Sequence, residues 1–254
     1  MILVSDKAHV RTIMLNRPDA MNAFNGALFD SLTEGLLEAG EDSNVRVVVL
    51  TGKGKAFSTG LDLSEVGKDI EPPKHGVPGL FNTLVDFPKP LLLAINGFAV
   101  GFGATAIGFA DISFMARSAK LRTPFTSMGV VAEGASSFTF PRIVGPQWAN
   151  WILQSSSWLA SDDCEKAGLV FKVLEDDVLL EETERHAHII AANSPTALKR
   201  NKDLIMGPIR EKYREAIEKE GRVYEELMGG PENMEAINAF LEKRDPDFSS
   251  LGRR

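Results

Sequence analysis

The chain has 254 residues, with 28 Lys and Arg, 35 Asp and Glu, and a net charge of −7. With 44% apolar and 25% charged residues, it has the composition of a folded globular protein and not of a disordered one. The acidic balance argues against broad nucleic-acid binding, and the single cysteine, Cys164, excludes an internal disulfide framework.

The sequence shows no targeting or membrane segment. The first ten residues include Asp6 and Lys7 and no apolar run, so we expect no signal peptide. No stretch approaches the roughly 18 continuous apolar residues that would indicate a membrane span. A lone cysteine fits a reducing compartment. We therefore expect a cytoplasmic protein that binds neither nucleic acid nor a membrane.

Strand and helix patterns alternate in the first part of the chain. Residues 9–15 predict a strand, and the spacing of apolar side chains in residues 22–41 predicts one face of a helix. Those side chains are Phe24, Leu28, Leu32 and Leu36. Short apolar runs, typical of buried strands, occur at residues 45–50, 91–95 and 112–115. Residues 68–79 contain three prolines and predict a surface loop.

The pattern changes near Gly145-Pro146. Of the 22 glycines, 16 lie in residues 1–145, whereas residues 146–254 have 15 basic and 21 acidic residues. Helices are predicted at about 146–155, 161–167, 177–193, 195–206, 208–228 and 231–243. We interpret Trp148, Trp151 and Trp158 as core or subunit packing. Glycine-rich strand–helix units before a helical tail predict an α/β (α+β) domain with a helical subdomain.

The first segment with a chemical pattern, KGKAFSTGLDL, spans residues 53–63. Asp62 and Glu65 fit a capping box, so a helix is predicted to begin near Leu63, with free N–H groups that attract negative charge. The P-loop spacing is absent. The alternative is a plain strand–turn–helix connection.

The second segment, residues 96–106, begins with Asn96-Gly97, which predicts a tight turn. It contains G-x-G-x-x-A after a strand, a weak match to a dinucleotide-binding turn. Such a unit needs an acidic residue about 20 positions further on, and residues 120–125 contain none. We reject that interpretation. A turn of small residues remains, with backbone N–H groups available near Gly101 to Gly103.

The third segment, residues 128–141, contains Glu133, the only carboxylate between Asp111 and Asp162. A carboxyl group among apolar and small residues has a raised pKa and can act as a base near neutral pH. The alternative is an exposed loop glutamate, or one that precedes a helix starting near Ala135. The near-match to GxSxG lacks its final glycine, so a nucleophile elbow is not expected.

The four histidines form no metal-binding pattern. His186 and His188 lie two apart and face different sides of their predicted helix, and His9 and His75 are isolated. We therefore expect no metal site.

Taken in order, these segments resemble the crotonase, or enoyl-CoA hydratase/isomerase, superfamily. The four motifs that carry the likeness are LNRPDAMNA at 15–23, AFSTGLDL at 56–63, NGFAVGFG at 96–103 and AFLEKR at 239–244. The resemblance implies a crotonase-like spiral of ββα units with a C-terminal helical trimerisation region. We divide the chain accordingly into a catalytic core, residues 1–190, and a C-terminal helical region, residues 191–254.

The resemblance also implies the ligand and its binding residues. An acyl-CoA thioester would be the substrate, with no separate cofactor, and the chain would form a homotrimer or a dimer of trimers. The backbone N–H groups of Leu61 and Phe102 would form an oxyanion hole. The residues implied for CoA binding are Arg17, Ala20, Ala56, Phe57, Ser58, Thr59, Gly60, Phe240 and Lys243. In relatives of this kind, the last two can come from a neighbouring subunit.

Departures from the family pattern indicate the reaction. Hydratases of the family have two glutamates, which would fall at Thr105 and Phe125, and both are absent. Hydration needs paired acid/base groups, so hydratase activity is not expected. VAEGASSFTFPRIVG, at 131–145, instead resembles the peroxisomal-type 3-enoyl to 2-enoyl-CoA isomerases, in which the glutamate of this segment is the single base. The resemblance therefore implies that Glu133 is the base in this sequence.

The main hypothesis is therefore an enoyl-CoA delta isomerase. Glu133 would take a proton from C2 and return it at C4, while apolar Phe125 excludes water. One alternative is another reaction of the family, such as hydration of an enoyl-CoA. The other is a non-catalytic acyl-CoA-binding or interaction module on the same fold. The acyl chain length, which we expect residues 66–87 to influence, stays open.

Overall fold

The computed structural model describes residues 1–63 and 71–251, which form ten strands, ten α-helices and three short 3-10 helices. The strands are β1 (Ile2–Lys7), β2 (Val10–Leu15), β3 (Val47–Gly52), β4 (Ala56–Ser58), β5 (Leu91–Ile95), β6 (Phe98–Val100), β7 (Ile112–Ala116), β8 (Lys120–Arg122), β9 (Leu159–Ala160) and β10 (Lys172–Leu174). The helices are α1 (Gly26–Glu41), α2 (Gly76–Asp86), α3 (Phe102–Thr105), α4 (Ser136–Ile143), α5 (Gly145–Ser155), α6 (Ser161–Lys166), α7 (Leu179–Ala191), α8 (Pro195–Met206), α9 (Arg210–Leu227) and α10 (Pro231–Glu242). The 3-10 helices are Pro18–Ala20, Ala106–Phe109 and Thr126–Met128.

The strands form two sheets that the chain builds alternately. The larger sheet has the order β1-β2-β3-β5-β7-β10 and the smaller has the order β4-β6-β8-β9. Among the strands of residues 1–63 and 71–251, only the pairs β1/β2 and β8/β9 are antiparallel. The successive pairs β3/β4, β5/β6 and β7/β8 each place one strand in each sheet, and α2, α3 and α4 follow them in turn. The predicted spiral of ββα units is therefore confirmed.

The centre of the larger sheet is made by the apolar runs of the sequence. Every residue of β3 and β5 is buried, because strands covered on both faces need apolar side chains at consecutive positions. The run predicted at 45–50 forms a strand two residues later, at β3. Strand β1 was not predicted, because its side chains are mostly exposed. It is held by its antiparallel pairing with β2.

Helix α1 begins four residues after the predicted start at 22. Met21 and Asn22 have φ angles of 51° and 55°, which an α-helix does not contain. The side chain of Asn25 caps the helix by accepting a hydrogen bond from the Leu28 N–H at 3.0 Å. The predicted apolar face is confirmed for Leu28, Leu32 and Leu36, which are fully buried. The fourth predicted side chain, Phe24, is also buried but lies before the helix begins.

The surface loop predicted at 68–79 is wrong over its last residues, where α2 begins. Pro78 lies in the first turn of this helix, where backbone N–H groups have no partner within the helix to lose. Asp30 of α1 accepts hydrogen bonds from the three backbone N–H groups before and at the helix start. These belong to Lys74, His75 and Gly76. Residues 64–70, including Glu65, lie outside the described part of the chain.

The six helices predicted after residue 145 are confirmed as α5 to α10. Helix α7 lies on the larger sheet, where Glu184 accepts a hydrogen bond from Thr12 of β2 at 2.8 Å. Trp148 packs against the core, but Trp151 and Trp158 are about half exposed, so core packing is wrong for these two. In the described ranges, no helix is both long and apolar enough to cross a membrane.

Candidate active site

Leu61 follows a turn that glycine makes possible. Gly60 has a φ of +79°, a conformation that side chains rarely adopt. On either side of Leu61, the carbonyl of Gly60 accepts from the Phe24 N–H at 2.7 Å, and the N–H of Asp62 donates to the Phe24 carbonyl at 2.9 Å. Because successive N–H groups of extended backbone point to opposite sides, the Leu61 N–H faces away from Phe24.

Phe102 begins α3 directly against this turn. A Cβ on Gly60 would lie 2.8 Å from the carbonyl oxygen of Val100 and 3.5 Å from the backbone nitrogen of Phe102. Gly103 packs just as closely against Ser58 of β4, since a Cβ on Gly103 would overlap the carbonyl oxygen of Ser58. The glycines therefore bring the segments of Leu61 and Phe102 into direct contact.

Neither backbone donor has an acceptor in the part of the chain that the structure describes, and the Phe102 donor is held in place by its ring. Within residues 1–63 and 71–251, the N–H groups of Leu61 and Phe102 donate to no acceptor. The ring of Phe102 is buried, with its centroid 5.0 Å from that of Phe24 and 5.3 Å from that of Phe81. Because this ring is held in the core, the start of α3 has a defined position.

Glu133 lies in the loop before α4 and reaches back to α3. Its Oε1 accepts a hydrogen bond from the hydroxyl of Thr105 at 2.9 Å. Gly134 has a φ of +67°, and a Cβ there would lie 2.7 Å from the Thr105 hydroxyl, so only glycine allows this approach. Since Phe102 and Thr105 are the two ends of α3, this short helix connects one donor to the carboxylate.

The surroundings of Glu133 raise the pKa of its carboxyl group from 4.5 to about 7. Burial is the largest cause, the hydrogen bond from Thr105 acts in the opposite direction, and the nearby charge of Glu220 raises the pKa further. Oε2 accepts no hydrogen bond from the described residues. Glu133 can therefore take up and release a proton near neutral pH, with one oxygen held and the other available.

Sequence reasoning missed Glu220, a buried carboxylate of α9. Its Oε2 accepts from the backbone N–H of Ala135 at 2.7 Å, and its Oε1 accepts from that of Ser137 at 2.8 Å. The sequence spacing could have indicated its burial, because Glu220 shares the buried face of α9 with Tyr213 and Ala216. A carboxylate on the buried face of a helix needs hydrogen-bond partners. The C-terminal helical region therefore contributes to the structure around Glu133.

Among the residues predicted to bind CoA, Arg17 lies beside the Leu61 turn. Its guanidinium pairs with Asp62 at 2.9 Å and also donates to the carbonyl of Ala23 at 2.5 Å. Asp62 was predicted as a helix cap together with Glu65, which is outside the described residues. The structure shows Asp62 as the partner of Arg17.

The other predicted CoA-binding residues divide into three groups. Ala56, Phe57 and Ser58 are buried, so this strand can offer a ligand its backbone but not these side chains. The Ala20 N–H donates to the Arg17 carbonyl, and Thr59 and Gly60 directly precede Leu61. Phe240 and Lys243 are exposed at the end of α10. Within the described residues, they share no hydrogen bond, ion pair or ring contact with residues 56–62.

The two positions that carry glutamate in hydratases of the family have other roles here. Thr105 is fully buried and donates to Glu133. Phe125 is 5% exposed and precedes the 3-10 helix Thr126–Met128. The described residues contain no group of three or more His, Cys, Asp or Glu side chains that could hold a metal ion.

A spiral of ββα units that alternate between two sheets is the architecture of the crotonase fold. The profile of the family described as Enoyl-CoA hydratase/isomerase matches residues 5–251, and the chain belongs to this family.

Relatives with different activities are similar to the chain. A 2,3-dehydroadipyl-CoA hydratase of Escherichia coli (strain K12) is 31% identical over 97% of the chain and 98% of its own length. An enoyl-CoA delta isomerase 2 of Homo sapiens is 31% identical over 96% of the chain and 64% of its own length. The crystal structure of an enoyl-CoA hydratase/isomerase from Pseudoalteromonas atlantica T6c superimposes with a TM-score of 0.93 and 34% identity, covering 98% of this chain and 99% of that one.

Proposed function

We propose that the protein is an enoyl-CoA delta isomerase that converts a 3-enoyl-CoA into the 2-enoyl-CoA, with Glu133 as its single acid–base group. The observation that carries the proposal is the hydrogen bond between Glu133 and Thr105. It places one carboxylate at the end of α3, the helix whose first residue is the donor Phe102. Names alone do not select this reaction, because relatives named hydratase and isomerase are about equally similar to the chain.

The proposed mechanism moves one proton between two carbons. The N–H groups of Leu61 and Phe102 bind the thioester oxygen and stabilise the negative charge that develops on it; such a donor is worth roughly 3–4 kcal/mol in the transition state. The Glu133 carboxylate removes a proton from C2, and the electron pair of that C–H bond forms a dienolate. Glu133 then protonates C4, and a double bond forms between C2 and C3.

The acid–base properties of Glu133 suit both steps. With a pKa of about 7, the group is ionised in part of the molecules at neutral pH, and its conjugate acid is strong enough to return the proton. Thr105 holds Oε1, so Oε2 is the oxygen that carries the proton. Phe125 takes the place of a second carboxylate, so its side chain cannot activate a water.

The proposal also includes the residues that bind CoA and the assembly of several subunits. Arg17 and the backbone of residues 56–60 would bind the CoA moiety, since they lie beside the Leu61 turn. Phe240 and Lys243 would reach the CoA of a neighbouring subunit in a homotrimer or a dimer of trimers. Exposed apolar side chains on α8 and α10 support assembly. They are Leu204, Ile205, Phe240 and Leu241, each at least 60% exposed.

The experiment that tests this function compares products. Wild-type protein is incubated with 3-enoyl-CoA thioesters of several chain lengths, and separately with 2-enoyl-CoA thioesters. We expect isomerisation of the former and little 3-hydroxyacyl-CoA from the latter. Hydration at a rate near that of isomerisation would favour the hydratase alternative, which relatives named hydratase support. CoA binding without turnover of any thioester would favour the non-catalytic alternative.

A further inference from the structure

Glu220 is a buried carboxylate that the proposed proton transfer does not use. Only 7% of the residue is exposed, and both carboxylate oxygens face the start of α4. They accept hydrogen bonds from the N–H groups of Ala135 and Ser137 at 2.7 Å and 2.8 Å. A carboxylate with two such bonds is fixed in position and has no exposed oxygen to offer a substrate.

The backbone that Glu220 holds is a turn of unusual conformation next to Glu133. Gly134 and Ala135 have φ angles of 67° and 57°. For alanine, this left-handed conformation is unfavourable and persists only where the surroundings hold it. The turn also connects to Glu133 directly, because the hydroxyl of Ser136 donates to the Glu133 carbonyl at 2.7 Å. A change at Glu220 would therefore move Glu133.

We propose that Glu220 is a positioning residue for Glu133: its carboxylate clamps the Gly134-Ala135 turn and so aims the Glu133 carboxyl group at the substrate. The expected effect of Glu220 on turnover rests on the proposed function. The expected effect of Glu220 on the position and the titration of the Glu133 carboxyl group does not rest on it, and can be measured without substrate.

The charge of Glu220 has a second effect on the same group. Among the described residues, the titratable groups that interact with the Glu133 carboxyl group are Glu220 and Tyr224, both on α9. Burial raises the pKa of Glu220, but its N–H hydrogen bonds favour the ionised form. Its negative charge in turn raises the pKa of Glu133.

Two substitutions of Glu220 distinguish the effect of its hydrogen bonds on the position of Glu133 from the effect of its charge on the pKa of Glu133. In Glu220→Gln the charge is lost, and the amide NH2 cannot accept the second N–H hydrogen bond. In Glu220→Asp the charge stays, but the side chain is too short to hold both N–H groups. The matched control is Glu218→Gln, the same substitution on the same helix at a side chain that is 72% exposed. Circular dichroism and thermal unfolding verify that each variant is folded.

The readouts are kcat, KM and the titration of the Glu133 carboxyl carbon by 13C NMR in the substrate-free protein, with the signal assigned from Glu133→Gln. We expect both Glu220 variants to lose kcat on the order of 10-fold to 100-fold, with KM unchanged. The titration midpoint of Glu133 should fall in Glu220→Gln and stay near the wild-type value in Glu220→Asp. Glu218→Gln should match the wild type in every readout.

The proposal is overturned if Glu220→Gln matches Glu218→Gln in both kcat and the Glu133 midpoint. It is also overturned if Tm falls and kcat falls with it, while the midpoint does not move, because a merely structural role predicts that result. If Glu220→Gln does not fold, Glu220→Asp carries the test through kcat at constant KM. Failure of the proposed function gives a different result: no isomerisation by the wild type, whatever the Glu133 titration shows.

Discussion

The two parts of the candidate site are built in different ways. The donors of Leu61 and Phe102 are backbone groups, placed by glycines that let two segments touch. Glu133 is a side chain whose position depends on two other side chains, Thr105 and Glu220, from different helices. The first part depends on its glycines and, at Phe102, on a ring that is held in the core. The second part depends on specific functional groups.

The largest expected effect comes from the side-chain part. Glu133→Gln keeps the shape of the residue but removes the proposed base, so kcat of isomerisation should fall about 100-fold to 10,000-fold. The measurement is turnover of a 3-enoyl-CoA, with Glu218→Gln as the control for loss of one negative charge. Turnover of Glu133→Gln at the wild-type rate would show that Glu133 is not the base.

The backbone part should respond to its glycines. A Cβ in Gly103→Ala overlaps the Ser58 carbonyl oxygen, so the segments must separate and the Phe102 donor moves. We expect kcat to fall on the order of 100-fold, as for the loss of one donor. In Gly221→Ala of α9, the added Cβ meets no described atom within 4 Å, so activity should stay at the wild-type level. Equal kcat values for the two variants would contradict this account of the backbone part.

The smallest of the three effects concerns the hydroxyl group that holds Glu133. Thr105→Val should lower kcat about tenfold, since hydrogen bonds to charged groups are worth roughly 1.5–3 kcal/mol. Because the lost bond favours the ionised carboxylate, the pKa of Glu133 should rise and the activity should recover at higher pH. The control is Thr139→Val, since the buried Thr139 hydroxyl has no hydrogen-bond partner in the described structure. A pH profile that shifts equally in both variants would speak against the role of Thr105.

The same contrast explains what the sequence could predict. Strands β3 and β5, helices α5 to α10 and the glycine turns follow from local patterns, because periodicity and turn chemistry act over a few residues. The hydrogen bond between Thr105 and Glu133 spans 28 residues, and that between Ala135 and Glu220 spans 85. No local pattern specifies such pairs. Helix α2 was missed for a related reason, since Asp30 caps it from α1.

The sequence singled out Glu133 as a candidate base, but it did not identify the partners of its carboxyl group. Its position among apolar residues and the resemblance of its segment to isomerases led to the same residue. Thr105 was noted only as a missing glutamate, whereas the structure shows that its hydroxyl group donates a hydrogen bond to Glu133. Glu220 was overlooked because α9 was assigned to an assembly region, although its buried face carries this carboxylate.

The pH dependence of kcat/KM for a 3-enoyl-CoA tests the central claim most directly, because it reports the titration of the essential base in the free enzyme. A base must be ionised to act, so the wild-type rate should rise with pH and level off above a midpoint near the Glu133 pKa of about 7. The residual rate of Glu133→Gln should lack this rise. A Glu133→Gln variant that retains both the rate and the rise of the wild type would contradict the claim that Glu133 is the single acid–base group.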